Sequence, residues 1–134
     1  MSGITDLQTL IGSMEPVLKP GEYVFTTFND IDWRQIADLQ PISVFKEDEG
    51  ISLVIDRKTA DEYDIPYDSV FRLISLHVHS SLDAVGLTAA FSTALGNAGI
   101  SANVVAAYYH DHIFVPTDKA EKALNVLQGM RNHN

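Results

Sequence analysis

The sequence predicts an α+β fold made of two ferredoxin-like units with antiparallel sheets, each built on the order β-α-β-β-α-β. Three observations lead to this prediction. Strand-like and helix-like segments alternate along the chain, the same order of elements occurs in both halves, and 134 residues with 46% apolar content are enough for two small units. We therefore predict an N-terminal unit over residues 1–68 and a C-terminal unit over residues 69–134.

The chain begins with a helical pattern. Apolar residues at i, i+3 and i+4 spacing predict a helix over residues 6–14, which Ser2 or Thr5 could cap. A run of aromatic and β-branched residues predicts a strand over residues 22–28, and a short helix is expected over residues 32–39. After the first helix, this part of the chain therefore has the order β-α.

The rest of the first half has the pattern of a hairpin followed by a helix. Residues 42–46 and 51–55 form two apolar runs, and the acidic segment between them ends in Gly50, which predicts a turn. A polar helix is expected over residues 57–63. The segment 64–68 contains a proline and is the best candidate for a linker.

The second half repeats this order with a stronger pattern. The predicted elements are a strand at 70–79, a loop at 80–86, a helix at 87–96, strands at 100–109 and 112–115, and a helix at 116–130. Too few residues follow the last helix to form a fourth strand. The second sheet therefore either lacks this strand or borrows one, and the strand at 70–79 could close the first unit while opening the second.

Composition excludes several classes of function. The net charge is −9, and all of it belongs to residues 1–68, which hold fourteen acidic and five basic residues. An acidic surface repels phosphate backbones, so we expect no nucleic-acid binding. Because there is no cysteine, disulfides and thiolate sites are excluded. No apolar stretch reaches the roughly 18 residues of a membrane span, and no export signal is visible, so we expect a cytoplasmic protein without membrane contact.

Four motifs in the second half point to a known family. They are Arg72 at the start of a strand, the segment 81–86 that reads SLDAVG, the segment 98–101 that reads AGIS, and Asp111 in a turn before a short strand. In these features the chain resembles ACT domains, and in particular the tandem ACT proteins of bacteria that have no assigned function. Residues 1–68 resemble the family only in size, order of elements and the hairpin.

The resemblance implies a regulatory module that binds a small molecule, often an amino acid, where one ACT unit meets another. Its ligand contacts come from the loop after the first strand, from the neighbouring second strand and from the turn acid. On this sequence the corresponding residues are Asp83, Val85, Gly86, Leu87, Asn103, Val104 and Asp111. The resemblance implies no catalysis and no cofactor. A non-catalytic, oligomerising interaction module without a ligand is the alternative.

Physical chemistry supports the same site independently. The carboxylate of an amino acid needs N–H donors, and a helix that begins at about Gly86 would offer them at the positive end of its dipole. The ammonium needs an acid or an amide, for which Asp83, Asn103 and Asp111 are candidates. The simpler reading also stays open: Asp83 caps the helix and Gly86 serves only the turn.

Two histidine pairs raise the question of a metal. His77 with His79, and His110 with His112, each stand at i, i+2 on a predicted strand, and the ferredoxin-like topology should bring the pairs close together. The pairs fall on an open sheet face, where histidines commonly pack or form oligomer contacts, so we predict no metal. pH-dependent association stays open as an alternative.

An activated hydroxyl and an oligomer contact are the remaining possibilities. Ser80 and Ser81 lie near His79, but no nucleophile elbow surrounds them, so we expect no enzyme. Tyr109 and Leu73 should leave apolar area exposed on the open sheet face of a monomer. We therefore expect a homo-oligomer, either a dimer or a tetramer.

Overall fold

The structure, a computed structural model, describes residues 6–78 and 85–132. These residues form two compact units. The split unit combines the described residues up to Pro20 with those from Arg72 onward, and the inserted unit is Gly21–Phe71. The division of the chain into domains at residues 1–68 and 69–134 stays a prediction. In the packing of the described chain, however, residues 6–20 belong with the C-terminal half.

The split unit contains four strands and three helices. Its elements in chain order are α1 (Leu7–Ser13), β1 (Glu15–Leu18), β5 (Phe71–His77), α4 (Leu87–Asn97), β6 (Asn103–Ala106), β7 (Asp111–Pro116) and α5 (Ala120–Asn132), the last preceded by a 3-10 turn at Thr117–Lys119. The strands are ordered β1-β5-β7-β6. This is the order of a ferredoxin-like sheet in which β1 takes the place of the fourth strand.

Strand β1 answers the question of the missing strand. It pairs antiparallel with β5, so that Glu15 lies opposite His77 and Leu18 lies opposite Ile74. No strand was predicted between the first helix and residue 22, so β1 is an element that the local sequence pattern did not indicate. The N-terminal segment supplies the fourth strand of the unit that contains the C-terminal half.

The core of the split unit joins α1 to the helices of the C-terminal half. Asp6 caps α1 by accepting a hydrogen bond from the Thr9 N–H at 3.0 Å. Leu10 and Met14 are fully buried in a cluster with Phe91 of α4, and with residues of β5, β7 and α5. Burial of each such side chain stabilises the unit by about 1.5–3 kcal/mol relative to exposure. The N-terminal helix is therefore an integral part of this core.

The inserted unit contains three strands and two helices. They are β2 (Tyr23–Phe28), α2 (Trp33–Leu39), β3 (Ser43–Lys46), β4 (Ile51–Asp56) and α3 (Arg57–Glu62). The strands are ordered β3-β4-β2, with antiparallel pairs, and Phe71 at the beginning of β5 pairs with Tyr23. The core residues of this unit are Val24, Ile36, Leu39, Leu53, Ile55 and Ala60.

Most of the predicted elements are present with small shifts of their ends. The largest difference is β6, which was expected over residues 100–109 and is only four residues long. The chain leaves the sheet early because the Ala107 N–H donates to the His110 carbonyl at 3.1 Å, which closes the turn before β7. Within the described chain, no helix is long and apolar enough to cross a membrane.

Candidate functional site

Helix α4 begins at Leu87, as predicted, and Gly86 is its N-cap. Gly86 has φ +100°, a left-handed conformation that favours glycine, and no described side chain caps the helix there. The Ala90 N–H makes the first helical hydrogen bond, to the Gly86 carbonyl at 2.9 Å. The N–H groups of residues 87–89 therefore have no carbonyl partner within the helix and can donate hydrogen bonds to an acceptor outside it.

The two neighbours of Gly86 have opposite environments. Leu87 is buried in the core of the split unit and anchors the first turn of α4. Val85 is 82% exposed and faces solvent. Asp83 lies outside the described residues. A ligand can thus approach the start of α4 from the side on which Val85 lies.

Helix α1 lies close to this helix start. A Cβ atom on Gly86 would come within 3.2 Å of Leu7 Cδ2. The backbone angle therefore favours glycine at this position, and a Cβ atom here would also crowd the Leu7 side chain of α1. The approach of Leu7 to Gly86 could not be predicted from the sequence, because nothing in the local pattern of residues 6–14 indicates which element the helix contacts.

The two strand residues of the predicted site are held within the β6–β7 hairpin. Asn103 lies opposite Phe114, and its Nδ2 donates to the Phe114 carbonyl at 3.4 Å. Val104 lies opposite Ile113 and packs against the core. The amide of Asn103 thus already has a partner, although the contact is long, and its side chain is half-buried.

Asp111 begins β7 opposite Ala106. Partial burial raises the pKa of Asp111 above its usual range, and the charges of His112 and His110 act against this rise. Along the hairpin ladder Asp111 is three positions from the Asn103–Phe114 pair, roughly 10 Å. The two residues proposed for an ammonium group are therefore well separated.

The structure does not gather all the predicted residues at one point of the split unit. Gly86 precedes α4 and Asn103 follows it, and the 11 residues of this helix span roughly 16 Å. Val85, Gly86 and Leu87 form one group, and Asn103 with Val104 forms another. Asp111 belongs with the histidines at the other end of the hairpin.

Three histidines meet near the β6–β7 turn. The rings of His77 and His110 are stacked with centroids 4.5 Å apart, and the rings of His110 and His112 are 6.4 Å apart. The prediction that the two histidine pairs approach each other is confirmed for these residues, while His79 lies outside the described chain. The Nδ1 of His110 is buried and, among the described residues, has no hydrogen-bond partner.

The Nδ1 of His112 and the hydroxyl of Ser75 form a hydrogen bond of 2.8 Å. Partial burial lowers the pKa of His112, and the nearby charge of His110 lowers it further. Ser75 is 2% exposed and is the only polar residue in the core of the described chain. Its isolation among apolar residues of β5 was a visible signal that this hydroxyl has a partner.

These histidines do not form a recognisable metal centre. In residues 6–78 and 85–132, no group of three or more His, Cys, Asp or Glu side chains could hold a metal ion.

The sheet face that was expected to be open differs from the prediction at one of its two named residues. Leu73 is only 2% exposed, so it adds no apolar surface there, whereas Tyr109 is 69% exposed.

Comparison with known proteins gives consistent matches. Two family models described as ACT domain match the chain, one at residues 2–72 and the other at residues 68–129. A search of curated proteins found no match. A solved structure of a Vibrio cholerae protein of unknown function, described as a possible transport protein, is 48% identical with a TM-score of 0.86. The match covers 97% of this chain and 99% of that one.

More distant structures share the fold alone. The regulatory subunit of aspartate kinase from Thermus flavus is 10% identical with a TM-score of 0.64, over 86% of this chain and 95% of that one. Aspartate kinase from Clostridium acetobutylicum is 13% identical with a TM-score of 0.66, over 90% of this chain and 34% of that one. The predicted family and the α+β ferredoxin-like fold class are confirmed, and the chain belongs to the ACT-domain family as a tandem of two ACT domains.

Proposed function

We propose that this protein is a non-catalytic regulatory sensor that binds an amino acid at an interface between ACT units. Membership of the ACT-domain family supports a regulatory, ligand-binding role in general. The observation that supports binding of an amino acid is the start of α4, where no described side chain caps the N–H groups of the first turn after Gly86. These donors suit the carboxylate of a free amino acid.

The rest of the ligand has candidate partners of the required chemistry. An ammonium group needs an acid or an amide, and Asp83, Asn103 and Asp111 remain the proposed partners. Since Gly86 and Asn103 lie at different ends of α4, we propose that a ligand touching both groups does so where two ACT units meet. The site residues proposed for this role also include Val85, Leu87 and Val104.

A thermal-shift screen of the twenty amino acids tests the proposal. A ligand present at 100 times its Kd should add about 2.7 kcal/mol to the free energy of unfolding, which is several degrees in Tm. Val85→Asp should weaken binding, because it places a negative charge beside the N–H groups that receive the carboxylate. Val44→Asp, at an exposed position of the inserted unit, is the matched control for added charge.

Each variant is compared with its own unliganded Tm, so that loss of stability is not mistaken for loss of binding. The proposal requires at least one amino acid to shift the Tm of the wild type and of Val44→Asp, and to shift that of Val85→Asp less. Equal shifts in both variants would place the ligand elsewhere. If none of the twenty shifts the Tm at millimolar concentration, the amino-acid proposal fails.

The alternative is an oligomerising interaction module without a ligand. The observation that favours it is a pair of exposed aromatic rings in the β6–β7 turn, where Tyr108 is 54% exposed and Tyr109 is 69% exposed. Light scattering tests whether the protein associates in the absence of any ligand. The chain has a mass of 14.8 kDa, so a mass of twice or four times that value supports a homo-oligomer, and a mass near 14.8 kDa contradicts it.

We further propose that the protein acts in the cytoplasm, without a cofactor and without nucleic acid as a partner. The support is the acidic composition and the family's general role.

A further inference from the structure

The inserted unit contains a cavity that the proposed amino-acid site does not use. Its volume is about 300 Å³, and it is lined by the end of β2, by α2 and by the segment after α3. This volume lies at the lower end of the range of roughly 300–1,000 Å³ that is usual for ligand pockets. A small organic molecule is therefore the size of ligand that it could accept.

The floor of the cavity is apolar. Leu39 is a buried core residue, and Phe28, Ile31 and Ile65 are partly buried and pack against the same core cluster. The apolar body of a ligand placed here would cover surface that is continuous with the core.

Local hydrogen bonds define both walls. At the start of α2, Asp32 accepts from the Gln35 N–H at 2.8 Å and the Asp32 N–H donates to Gln35 Oε1 at 3.0 Å, which is a complete capping box. On the other side, Asp64 adopts φ +55° and the Ile65 N–H donates to the Ala60 carbonyl at 2.8 Å. These hydrogen bonds fix the start of α2 and the turn after α3, the two segments that border the cavity with the end of β2.

Two carboxylates, Asp30 and Asp38, contribute to the lining, and no lysine or arginine does. Within the described chain neither carboxylate has a hydrogen-bond or ion-pair partner; Arg34, four residues before Asp38, makes no ion pair with it. The inserted unit as a whole holds twelve acidic and four basic residues. The cavity therefore presents negative charge beside an apolar floor.

A second and larger recess of the inserted unit lacks this combination. It measures about 570 Å³, and Lys58 lines it together with Asp56, so its charges are mixed. The cavity over α2 is thus the better candidate for selective binding of a cation.

We propose that the cavity between α2 and the turn after α3 binds a small organic cation with an apolar body, such as a primary amine that carries an aromatic or branched aliphatic group. The ammonium lies between Asp30 and Asp38, and the apolar body covers Ile31 and Leu39. The half-exposed ring of Tyr63 borders the same space and can contact the cation or the body of the ligand.

The probe for this proposal is 2-phenylethylammonium, titrated into the full chain by calorimetry and by backbone NMR. Neutral 2-phenylethanol and anionic phenylacetate have nearly the same shape and serve as ligand controls. We expect the amine to bind more tightly than the alcohol and the acid, with the largest amide shifts at Ile31, Leu39 and Ile65. Because this amine has no carboxylate, the result is independent of the proposed amino-acid site at α4.

Charge variants locate the recognition. Asp38→Asn and Asp30→Asn should each weaken binding of the amine by roughly three- to tenfold, since each removes one charge-assisted contact at a partly solvated site. Asp48→Asn removes the same charge from the exposed β3–β4 turn and should change the affinity by less than twofold. All three residues are exposed, so the variants should fold normally.

The outcomes that overturn the proposal are distinct. Equal affinity for the amine and the alcohol would show that the carboxylates do not recognise the ligand. An equal effect of Asp38→Asn and Asp48→Asn would show that the general negative charge of the unit, and not the cavity, attracts the amine. Amide shifts confined to residues outside the lining, or no binding at millimolar amine, would show that the cavity takes no such ligand.

Discussion

Removing the Leu10 side chain should destabilise the unit that contains the C-terminal half of the chain. Leu10 lies in α1 and is 0% exposed, within the cluster that also holds Phe91 and Leu127. Replacement by alanine removes three buried carbon atoms, one methine and two methyl groups, and leaves a cavity. Substitutions of this kind cost about 2.7–5 kcal/mol in a well-packed core.

This loss is large for a protein of this size. A chain of 134 residues has a free energy of unfolding of about 7–20 kcal/mol, at roughly 0.05–0.15 kcal/mol per residue. Urea unfolding followed by circular dichroism measures the change in the midpoint, and amide hydrogen exchange shows where protection is lost. We expect the loss of protection in Leu10→Ala to include β5 and α5.

Gln8→Ala is the matched control, because Gln8 is an exposed residue of the same helix. It should change the free energy of unfolding by no more than about 0.5 kcal/mol. If Leu10→Ala costs less than about 1 kcal/mol, or no more than Gln8→Ala, α1 is not part of this core. Loss of protection restricted to β2 and β4 would likewise refute the packing described for the split unit.

Three further predictions concern the start of α4 and the hairpin end of β7. In urea unfolding, Gly86→Ala should lower the free energy of unfolding more than Gly99→Ala. Both glycines have positive φ, but only a Cβ at Gly86 would lie 3.2 Å from Leu7. Equal losses of about 1–2 kcal/mol, the size expected from backbone strain alone, would contradict this prediction. His112 has a pKa below its ordinary value of about 6.5, so its contribution to stability is present above that pH and is lost as the pH falls through the lower folded pKa. The decline in urea midpoint between about pH 7 and pH 5 should therefore be smaller in His112→Asn, and an unchanged decline would show that other groups cause it. The pKa of Asp111 is raised, so its contribution to stability is present below about pH 3.8 and is lost as the pH rises through the folded pKa. Asp111→Asn should therefore raise the urea midpoint at pH 7 relative to the wild type. A lower midpoint would show that the structure stabilises the charged form.

The element that sequence reasoning missed is β1, and its composition explains why. The strand is only four residues long and contains Pro16, which cannot donate a hydrogen bond to a sheet. It is tolerated because, among the described strands, β1 pairs only with β5, so one of its edges needs no donors. Its partner lies about 60 residues later in the chain, and no local pattern predicts a contact of that range.

Elements with a strong period were predicted well. The apolar spacing predicted helices over 87–96 and 116–130, and the structure has α4 and α5 there, with Phe91, Leu95 and Leu127 fully buried. Helix caps were predicted less well, since Asp6 rather than Ser2 or Thr5 caps α1. Several residues before a short helix can act as a cap, and only the backbone path selects one of them.

The candidate site was predictable in part. Gly86 at the start of α4 followed from the sequence, because glycine before an apolar helical run marks a turn into a helix. The close approach of Leu7, the long contact of Asn103 with the Phe114 carbonyl and the burial of Asp111 did not. All three depend on contacts between elements that are distant along the chain.

The most direct test of the proposed function is an equilibrium titration of the full chain with the twenty amino acids, followed by backbone NMR. We predict that at least one amino acid binds saturably and shifts the amides of Val85, Gly86 and Leu87, and that its amide or methyl ester, which lacks the carboxylate charge, binds at least tenfold more weakly. The proposal would be contradicted if no amino acid binds at millimolar concentration, or if the uncharged derivative binds equally well.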